Sequence, residues 1–431
     1  MSDGKPKIAF FGHFGQGNFG NESTLQAMLC RLRQLAPGAE FTCICTGPEI
    51  VAADYGITAV PSRSRVGKPW RFHNPLANLA RRLLLGIPIE FYRWLKGFET
   101  LRRTDALVVP GTGLLTDAYT LFNWGPYDMF RWSVTAKLCG CKLLFASVGA
   151  GPLYSRAGRF LVRTALSLAD FRSYRDYSSK RYLEGIGFRA DNDPVCPDLA
   201  FSLPQVAMAL GHDRNSKGRR LVVGLGLMEY AGKYSVERPT GAVQAVYLET
   251  LVEFVKWLLA REYNVRLLIG DLLDVPVTQA FKGLLKERSV TQEAGRIIDE
   301  PVKSFEEVLA QVGATDFMVA TRFHNVLFSV LLNKPLISIS FHHKCASLMR
   351  QMGLSDYCQD INSLSADRLI KHFCRLEMNV AAVKQMIAAR VDACRASLEE
   401  QYGVIVSHIC PGGEQPTAPA AETRQAPTAI S

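Results

Sequence analysis

The segment ATDFMVATRFHNVLFSVLLNKPLISISFHHK (residues 314–344) decides the fold class. A short apolar run ends at Ala320, polar residues lead into a longer apolar stretch, and a second short apolar run follows Pro335. This order is typical of two parallel strands joined by a crossover helix. We expect the helix to begin at Thr321 as its N-cap, with polar residues at the end of the first strand.

The same alternation of short apolar runs and amphipathic segments extends over nearly the whole chain. It predicts an α/β protein with two Rossmann-like, doubly wound domains that face a central cleft. The predicted strands are Lys7–Phe11, Phe41–Cys45, Ala106–Val109, Lys142–Val148, Phe171–Tyr174, Leu221–Leu225, Val265–Ile269, Asp316–Ala320 and Leu336–Ser340.

Composition suggests the domain boundaries. The polar stretch GHDRNSKGRR (residues 211–220) is the best linker, so we predict an N-terminal domain over residues 1–210 and a C-terminal domain over residues 219–362. A helical segment is predicted for residues 363–410. Residues 411–431 are rich in Pro, Ala and Thr without periodicity, and we expect them to be disordered.

Length and composition exclude several classes of protein. With 431 residues, 48% of them hydrophobic, the chain can form two cores of about 150 to 200 residues each. No apolar run approaches the roughly 18 to 20 residues of a membrane-spanning helix. The first residues lead directly into a strand without a signal peptide, so we expect a cytoplasmic protein. The eleven cysteines are odd in number and lie among apolar residues, so we expect neither zinc nor disulfides.

Positive charge is concentrated in residues 63–103. This basic segment holds ten arginines and lysines against Glu90 and Glu99, and so supplies +8 of the net charge of +10. It includes the aromatic and apolar stretch LLLGIPIEFYRWLKGF (residues 83–98). The mixture suits the headgroup region of an anionic membrane or a lipid-linked phosphate, and a solvated basic face without special purpose is the alternative. No nucleic-acid-binding motif accompanies the charge, so nucleic acid is not an expected partner.

A glycine-rich loop, FFGHFGQGNFGNES (residues 10–23), follows the first strand. Gly15, Gly17 and Gly20 match the GxGxxG pattern, although the first glycine comes later than in a dinucleotide-binding turn. Three interpretations remain open: dinucleotide binding, close backbone approach to an anion or sugar, and a turn that serves only the topology. In the second case the polar side chains of the loop, Asn18, Asn21 and Glu22, are the expected contacts.

Two further loops follow strands and contain paired glycines. VVPGTGLLTD (residues 108–117) contains Gly111 and Gly113, and ASVGAGPL (residues 146–153) contains Gly149 and Gly151. Glycine leaves space where strand ends meet a cleft, so we expect these four residues to shape the floor of a binding site.

Four residues are candidates for binding or catalysis. Arg322 and His324 lie in the first turn of a predicted helix, where an anion would be stabilised by the cation and by the helix N-terminus. The same helix end favours a neutral His324. A bound dianion would favour the protonated imidazole, which can act as a general acid. Arg175 follows another strand and could contact that anion or pair with Asp170 or Asp176. Lys344, after the next strand, is a third cation on the same rim.

The motifs GNFGNES, PGTG, SVGAGP, SYRD, VCPDLAF and TRFHNVLFSVLLNKPLISISFHHK together resemble the polysaccharide pyruvyl transferase family over residues 7–360. The resemblance implies a two-domain architecture of the GT-B type and transfer of the enolpyruvyl group of phosphoenolpyruvate onto two hydroxyls of a sugar, for exopolysaccharide or cell-surface polysaccharide biosynthesis. It implies that Arg175, Arg322 and Lys344 bind this donor and that His324 is the acid. No cofactor or metal is implied.

One position departs from the family pattern. Members show Asn-x-Gly-Asp in the first loop, whereas Asn21 stands in place of the aspartate here, with Glu22 beside it. Two other functions remain open: a GT-B glycosyltransferase that uses a nucleotide sugar, with Asp271 or Glu229 near the ribose, and a non-catalytic scaffold of polysaccharide assembly. The acceptor is expected to be a sugar or lipid-linked oligosaccharide, and the oligomeric state stays open.

Overall fold

Six parallel strands from the N-terminal half of the chain form the first sheet in the order β3-β2-β1-β4-β5-β6. The computed structural model describes residues 5–63, 85–111, 113–117, 125–204, 218–229, 240–290, 295–341 and 343–410. The strands of this sheet are β1 (Lys7–Phe11), β2 (Glu40–Cys45), β3 (Thr58–Pro61), β4 (Ala106–Pro110), β5 (Lys142–Val148) and β6 (Phe171–Tyr174).

A second parallel sheet repeats this order with the strands of the C-terminal half, β9-β8-β7-β10-β11-β12. Its central strands are buried at every position because helices cover both faces of a parallel sheet. The strands are β7 (Val222–Gly226), β8 (Asn264–Leu268), β9 (Ile297–Asp299), β10 (Phe317–Ala320), β11 (Leu336–Ser340) and β12 (Cys358–Asp360).

Helices connect the strands and cover the sheets. They are α1 (Phe19–Leu35), α2 (Pro48–Tyr55), α3 (Ile87–Leu101), α4 (Pro126–Leu138), α5 (Arg156–Ser167), α6 (Tyr177–Gly185), α7 (Thr240–Ala260), α8 (Val275–Glu287), α9 (Phe305–Gly313), α10 (Phe323–Leu331), α11 (His343–Gln351), α12 (Ala366–Met378) and α13 (Val380–Ile409). Short 3-10 helices lie at Leu199–Ser202, Leu272–Asp274, Ser355–Tyr357 and Ile361–Ser363. No helix within the described ranges combines the length and the apolar composition that crossing a membrane requires.

The prediction of two doubly wound α/β sheets is confirmed. One local prediction is wrong. Arg322, not Thr321, is the N-cap of α10, because the buried Thr321 hydroxyl pairs with the Tyr247 hydroxyl at 2.9 Å. At the start of α1 the N-cap is Asn18, whose side chain accepts from the Asn21 N–H.

The last helix, α13, returns to the N-terminal sheet. The Ser173 hydroxyl donates to Gln401 Oε1 at 2.6 Å, and Gln401 Nε2 donates to Ser147 Oγ at 3.1 Å. The next side chain, Tyr402, pairs with the Ser202 hydroxyl at 2.8 Å. Helix α13, which follows the last strand of the C-terminal sheet, is therefore hydrogen-bonded to β5 and β6 of the N-terminal sheet. Most of the proposed linker and the whole predicted tail lie outside the described residues.

Candidate functional site

The site lies where the loops at the carboxyl ends of the two sheets meet. In each sheet the strand order reverses between two central strands, β1 and β4 in the first and β7 and β10 in the second. Crevices beside such switch points are the usual ligand positions of doubly wound sheets. The two halves of the chain contact each other here: Asn18 Nδ2 donates to Asp271 Oδ2 at 2.8 Å, and the Leu272 N–H donates to the Gly17 carbonyl at 3.2 Å.

The imidazole of His324 lies directly against the first turn of α1. Gly20 is the second residue of that helix, and a Cβ atom built there would overlap the His324 ring. The ring also contacts Phe323 edge-on, with centroids 5.1 Å apart, and lies 6.3 Å from the Phe328 ring. His324 therefore stands at the N-terminus of α10 and beside that of α1, two ends that carry positive partial charge.

Arg175 reaches the same place from the N-terminal sheet. It follows β6 and lies directly before Asp176, whose side chain caps α6 by accepting from the Ser179 N–H. Arg175 Nη1 donates to Asp198 Oδ2 at 3.1 Å, and both side chains are buried. Its guanidinium carbon lies 4.8 Å from the centre of the Phe323 ring. Arg175 thus pairs with Asp198 rather than with Asp170 or Asp176.

Lys344 is the second cation of the cluster. A Cβ atom built on Gly113 would lie 3.8 Å from Lys344 Nζ, so the PGTG loop of the first sheet approaches this amine closely. Burial, and next the positive charge of Arg175, lower the pKa of Lys344 to about 8, against the opposing effect of Asp176 and Asp198. The amine is still mostly charged at pH 7.

Arg322 lies near the cluster but is held by a carboxylate. Its Nε and Nη2 donate to the two oxygens of Asp274 at 2.7 and 2.5 Å, and Asp274 is fully buried. Burial raises the pKa of Asp274 even though Arg322 opposes the shift. Bidentate pairing fixes the direction of the guanidinium. The charge of Arg322 still acts on His324.

Burial and the neighbouring cations together favour a neutral imidazole. Burial is the largest cause that lowers the pKa of His324 to about 4, Asp198 opposes the shift, and Arg175, Lys344 and Arg322 add to it. Removing water from around a cation and placing other cations near it both disfavour protonation. An anionic ligand would reverse the second effect. The site can therefore bind negative charge and gain a proton on His324 when it does so.

The polar residues of the glycine-rich loop mainly hold the loop itself. Asn18 accepts a hydrogen bond from the Asn21 N–H at 3.1 Å, and Asn21 Nδ2 donates to the His13 carbonyl at 3.0 Å. Glu22 accepts from the Gly15 N–H at 2.7 Å and from the Tyr55 hydroxyl at 3.4 Å. Burial raises the pKa of Glu22 to about 7. A role of these side chains in acceptor binding stays a prediction.

Two of the four loop glycines border the cations, and the other two serve packing. A Cβ atom on Gly149 would lie 2.8 Å from Arg175 Nη2, and Gly113 adjoins Lys344 as described above. A Cβ atom on Gly111 would overlap the Ser147 carbonyl oxygen. Gly151 has a φ of +86° and would place a Cβ atom 2.9 Å from the Tyr182 ring.

The structure thus brings Arg175, His324 and Lys344 together, with Arg322 beside them. Three contributing residues are absent from the predicted set: Asp198, Asp274 and, as a contact of His324, Gly20. Asp198 was recognisable as an acid within the otherwise uncharged run VCPDLAF (residues 195–201). Among the residues that the structure describes, no group of His, Cys, Asp and Glu could hold a metal ion.

Comparison with known proteins adds two findings on the fold. A UDP-N-acetylglucosamine 2-epimerase, as the protein is described, of Listeria monocytogenes superposes with a TM-score of 0.63 at 12% identity, over 96% of this chain and 99% of its own. A glycosyltransferase of Rickettsia africae superposes with a TM-score of 0.55 at 12% identity, over 95% and 100% of the two chains. The architecture is therefore of the GT-B type.

Sequence comparison gives the family. The amylovoran biosynthesis protein AmsJ of Erwinia amylovora is 20% identical over 308 residues, which are 68% of this chain and 70% of AmsJ. The model of the polysaccharide pyruvyl transferase family matches residues 18–343, a range that includes the end of the glycine-rich loop, Arg175, Asp198, Arg322 and His324. The chain belongs to the polysaccharide pyruvyl transferase family.

Proposed function

We propose that this protein transfers the enolpyruvyl group of phosphoenolpyruvate onto two hydroxyls of a sugar in a lipid-linked saccharide and releases phosphate. The observation that carries the proposal is the convergence of Arg175, Lys344 and His324 in one crevice beside the N-terminus of α1. Phosphoenolpyruvate bears a phosphate and a carboxylate on a small carbon frame, so its recognition needs several cations directed at a small volume.

His324 supplies the acid step in this proposal. With the donor bound, the protonated imidazole transfers its proton to the methylene carbon, and positive charge develops at the adjacent carbon. One sugar hydroxyl adds there, phosphate leaves, and the second hydroxyl closes the ketal. One of the two hydroxyl protons returns to the imidazole and the other leaves on hydrogen phosphate, so the reaction balances.

Binding of the donor is the first test. Phosphoenolpyruvate at about 100 times its dissociation constant should stabilise the folded protein by about 2.7 kcal/mol, because a ligand that binds only the native state shifts the unfolding equilibrium. The measurement is a thermal-shift titration alongside nucleotide sugars. A shift with phosphoenolpyruvate supports the proposal. A shift only with a nucleotide sugar contradicts it and favours glycosyl transfer. The absence of a shift with either ligand also contradicts it and favours a scaffold.

A second candidate function, glycosyl transfer from a nucleotide sugar, is favoured by one cavity. It has a volume of about 310 Å³ and lies at the carboxyl ends of β8 and β9, beside α8, where Ile269, Thr278 and Pro301 line it. This volume is at the lower end for a small-molecule pocket. Of the two acids expected near the ribose, Asp271 or Glu229, Asp271 already accepts hydrogen bonds from Asn18 and from the Leu273 N–H.

The pair of Arg175 and Asp198 gives a prediction about the charge balance of the site. The change Asp198→Asn removes the carboxylate from buried Arg175, and we expect a loss of about 3 kcal/mol of unfolding free energy, the usual scale for a buried charge left without its partner. Because the donor would then neutralise a more positive site, phosphoenolpyruvate should raise the melting temperature more in this variant than in the wild type.

Asp193→Asn is the matched control. Asp193 is also buried, and it pairs with Arg172 at 2.9 Å in the same domain. This variant should lose stability without a change in the melting-temperature increase caused by the donor. An equal increase for both variants would show that the Arg175–Asp198 pair does not face the donor.

A further inference from the structure

Helix α3 presents large apolar side chains to solvent. Ile87, Phe91 and Leu95 follow one another at intervals of four residues and are 62%, 65% and 50% exposed. Tyr92 and Leu85 extend the same surface, with 45% and 52% exposure. We call these five residues the α3 face. Single exposed apolar residues are common on protein surfaces, but a contiguous group on one helix indicates an interaction site.

The first part of α3 makes polar contacts on its inner side, whereas Leu101 at its end is buried in the core. The Tyr127 hydroxyl donates to Glu90 Oε1 at 2.6 Å, and Arg131 Nη1 donates to the Arg93 carbonyl at 3.2 Å. At the other end, Gly97 lies against Thr135 of α4. Hydrogen bonds and close helix packing hold α3 in place while its apolar residues face outward.

These contacts also orient the helix. Glu90 meets Tyr127 near the starts of α3 and α4, and Gly97 meets Thr135 near their ends, so the two helices run parallel. Because α4 follows β4, it begins at the carboxyl edge of the sheet. The start of α3, with Ile87 and Phe91, is therefore directed toward the same edge as the cation cluster.

Positive charge near the α3 face favours an anionic partner. Arg102 and Arg103 at the end of α3 are exposed, and residues 64–84, which precede the helix and lie outside the described residues, contain five arginines and lysines and no acid. A second copy of the chain would bring two such basic segments together. An anionic lipid surface would neutralise them while it accepts the apolar side chains.

We propose that the α3 face inserts into the headgroup region of an anionic bilayer and turns the cleft edge of the N-terminal sheet toward that membrane. A lipid-linked acceptor would then enter the site from the surface to which the protein binds. The identity of this acceptor rests on the proposed function, whereas binding to the bilayer can be measured without any catalytic assay.

The test is vesicle flotation with the full-length protein. We expect the protein to float with vesicles of phosphatidylcholine and phosphatidylglycerol but not of phosphatidylcholine alone, and added salt should reduce the bound fraction by screening. The double variant Ile87→Gln/Phe91→Gln should lower partitioning roughly tenfold or more, since insertion depends on buried apolar area. The control Leu138→Gln/Met378→Gln changes two side chains that are 65% and 78% exposed elsewhere and should bind as the wild type does.

Other outcomes would overturn the proposal. They are failure of the wild type to float, equal loss of binding in both double variants, and binding without preference for phosphatidylglycerol. A wild-type dimer that becomes monomeric in Ile87→Gln/Phe91→Gln, without flotation, would identify the α3 face as a subunit interface. Donor stabilisation in the thermal-shift titration should be the same in both double variants, so failure of membrane binding and failure of the proposed reaction are distinguishable.

Discussion

Replacing His324 with alanine is expected to lower turnover about 100-fold or more while donor binding stays nearly unchanged, because the change removes the general acid but leaves the cations. The measurement is phosphate release with phosphoenolpyruvate and a saccharide acceptor, beside a thermal-shift titration with the donor. His372→Ala is the control, since His372 also has a lowered pKa but lies on α12, where it contacts Gln359. Activity of His324→Ala within a few-fold of the wild type would remove His324 from this role.

The protonation of His324 offers a readout that a purely structural role would not give. Because burial and the nearby cations lower the pKa of His324 to about 4, donor binding at neutral pH must be accompanied by proton uptake if the imidazole becomes the acid. Calorimetric titration in buffers of different ionisation enthalpy measures that uptake. It should be present in the wild type and in His372→Ala and absent in His324→Ala.

The same pKa determines how His324 affects stability. The unfolded chain binds a proton at this residue near pH 6.5, whereas the folded protein does so only near pH 4. Unfolded molecules therefore hold more protons between these values, and the stability contributed by a neutral His324 is lost as the pH falls from 6.5 to 4. Over that range the wild type should lose unfolding free energy faster than His324→Ala does.

Gly20→Ala is expected to reduce activity on the same scale as loss of the acid, about 100-fold. In an exposed helix position, alanine would be more stable than glycine by about 1 kcal/mol. At Gly20, however, the added methyl group would overlap the His324 ring, so the imidazole must leave its position against α1. Steady-state kinetics should show the loss mainly in kcat.

Two variants test whether this effect acts through His324. Gly283→Ala also lies within a helix, α8, and a Cβ atom there meets nothing within 4 Å, so it should leave activity unchanged. In a His324→Ala background, Gly20→Ala should cost little further activity because the side chain that it displaces is already absent. Additive losses in the double variant would show that Gly20 acts independently of His324.

The central strands could be predicted from the sequence because they are short, mainly apolar runs between polar segments. The run ALVVP of β4 is buried at every position and was readily recognised. Three edge strands were missed: β3, β9 and β12 are three or four residues long and only partly buried. At a sheet edge a strand needs fewer apolar residues, so its pattern resembles that of a loop.

Only part of the candidate site could be predicted from the sequence. Cations that follow buried strands could be recognised, since topology places strand ends at one edge. The partners of those cations could not. Nothing near Gly20 in the sequence indicates an imidazole more than three hundred residues away, and Asp198 and Asp274 pair with arginines of distant segments. The contact between Gly20 and His324 depends on how the two sheets meet, whereas each arginine–aspartate pair depends on how the loops of a single sheet fold.

Fastening of the first sheet by α13 has a consequence for synthesis of the protein. Ser147 and Gln401 are separated by 254 positions, yet the amide is part of the hydrogen bonding at the ends of β5 and β6, next to Arg175. During translation these hydrogen bonds cannot form until residue 401 has been synthesised, long after β5 and β6 have emerged. A nascent chain stalled before residue 401 would therefore carry the arginine without its final support.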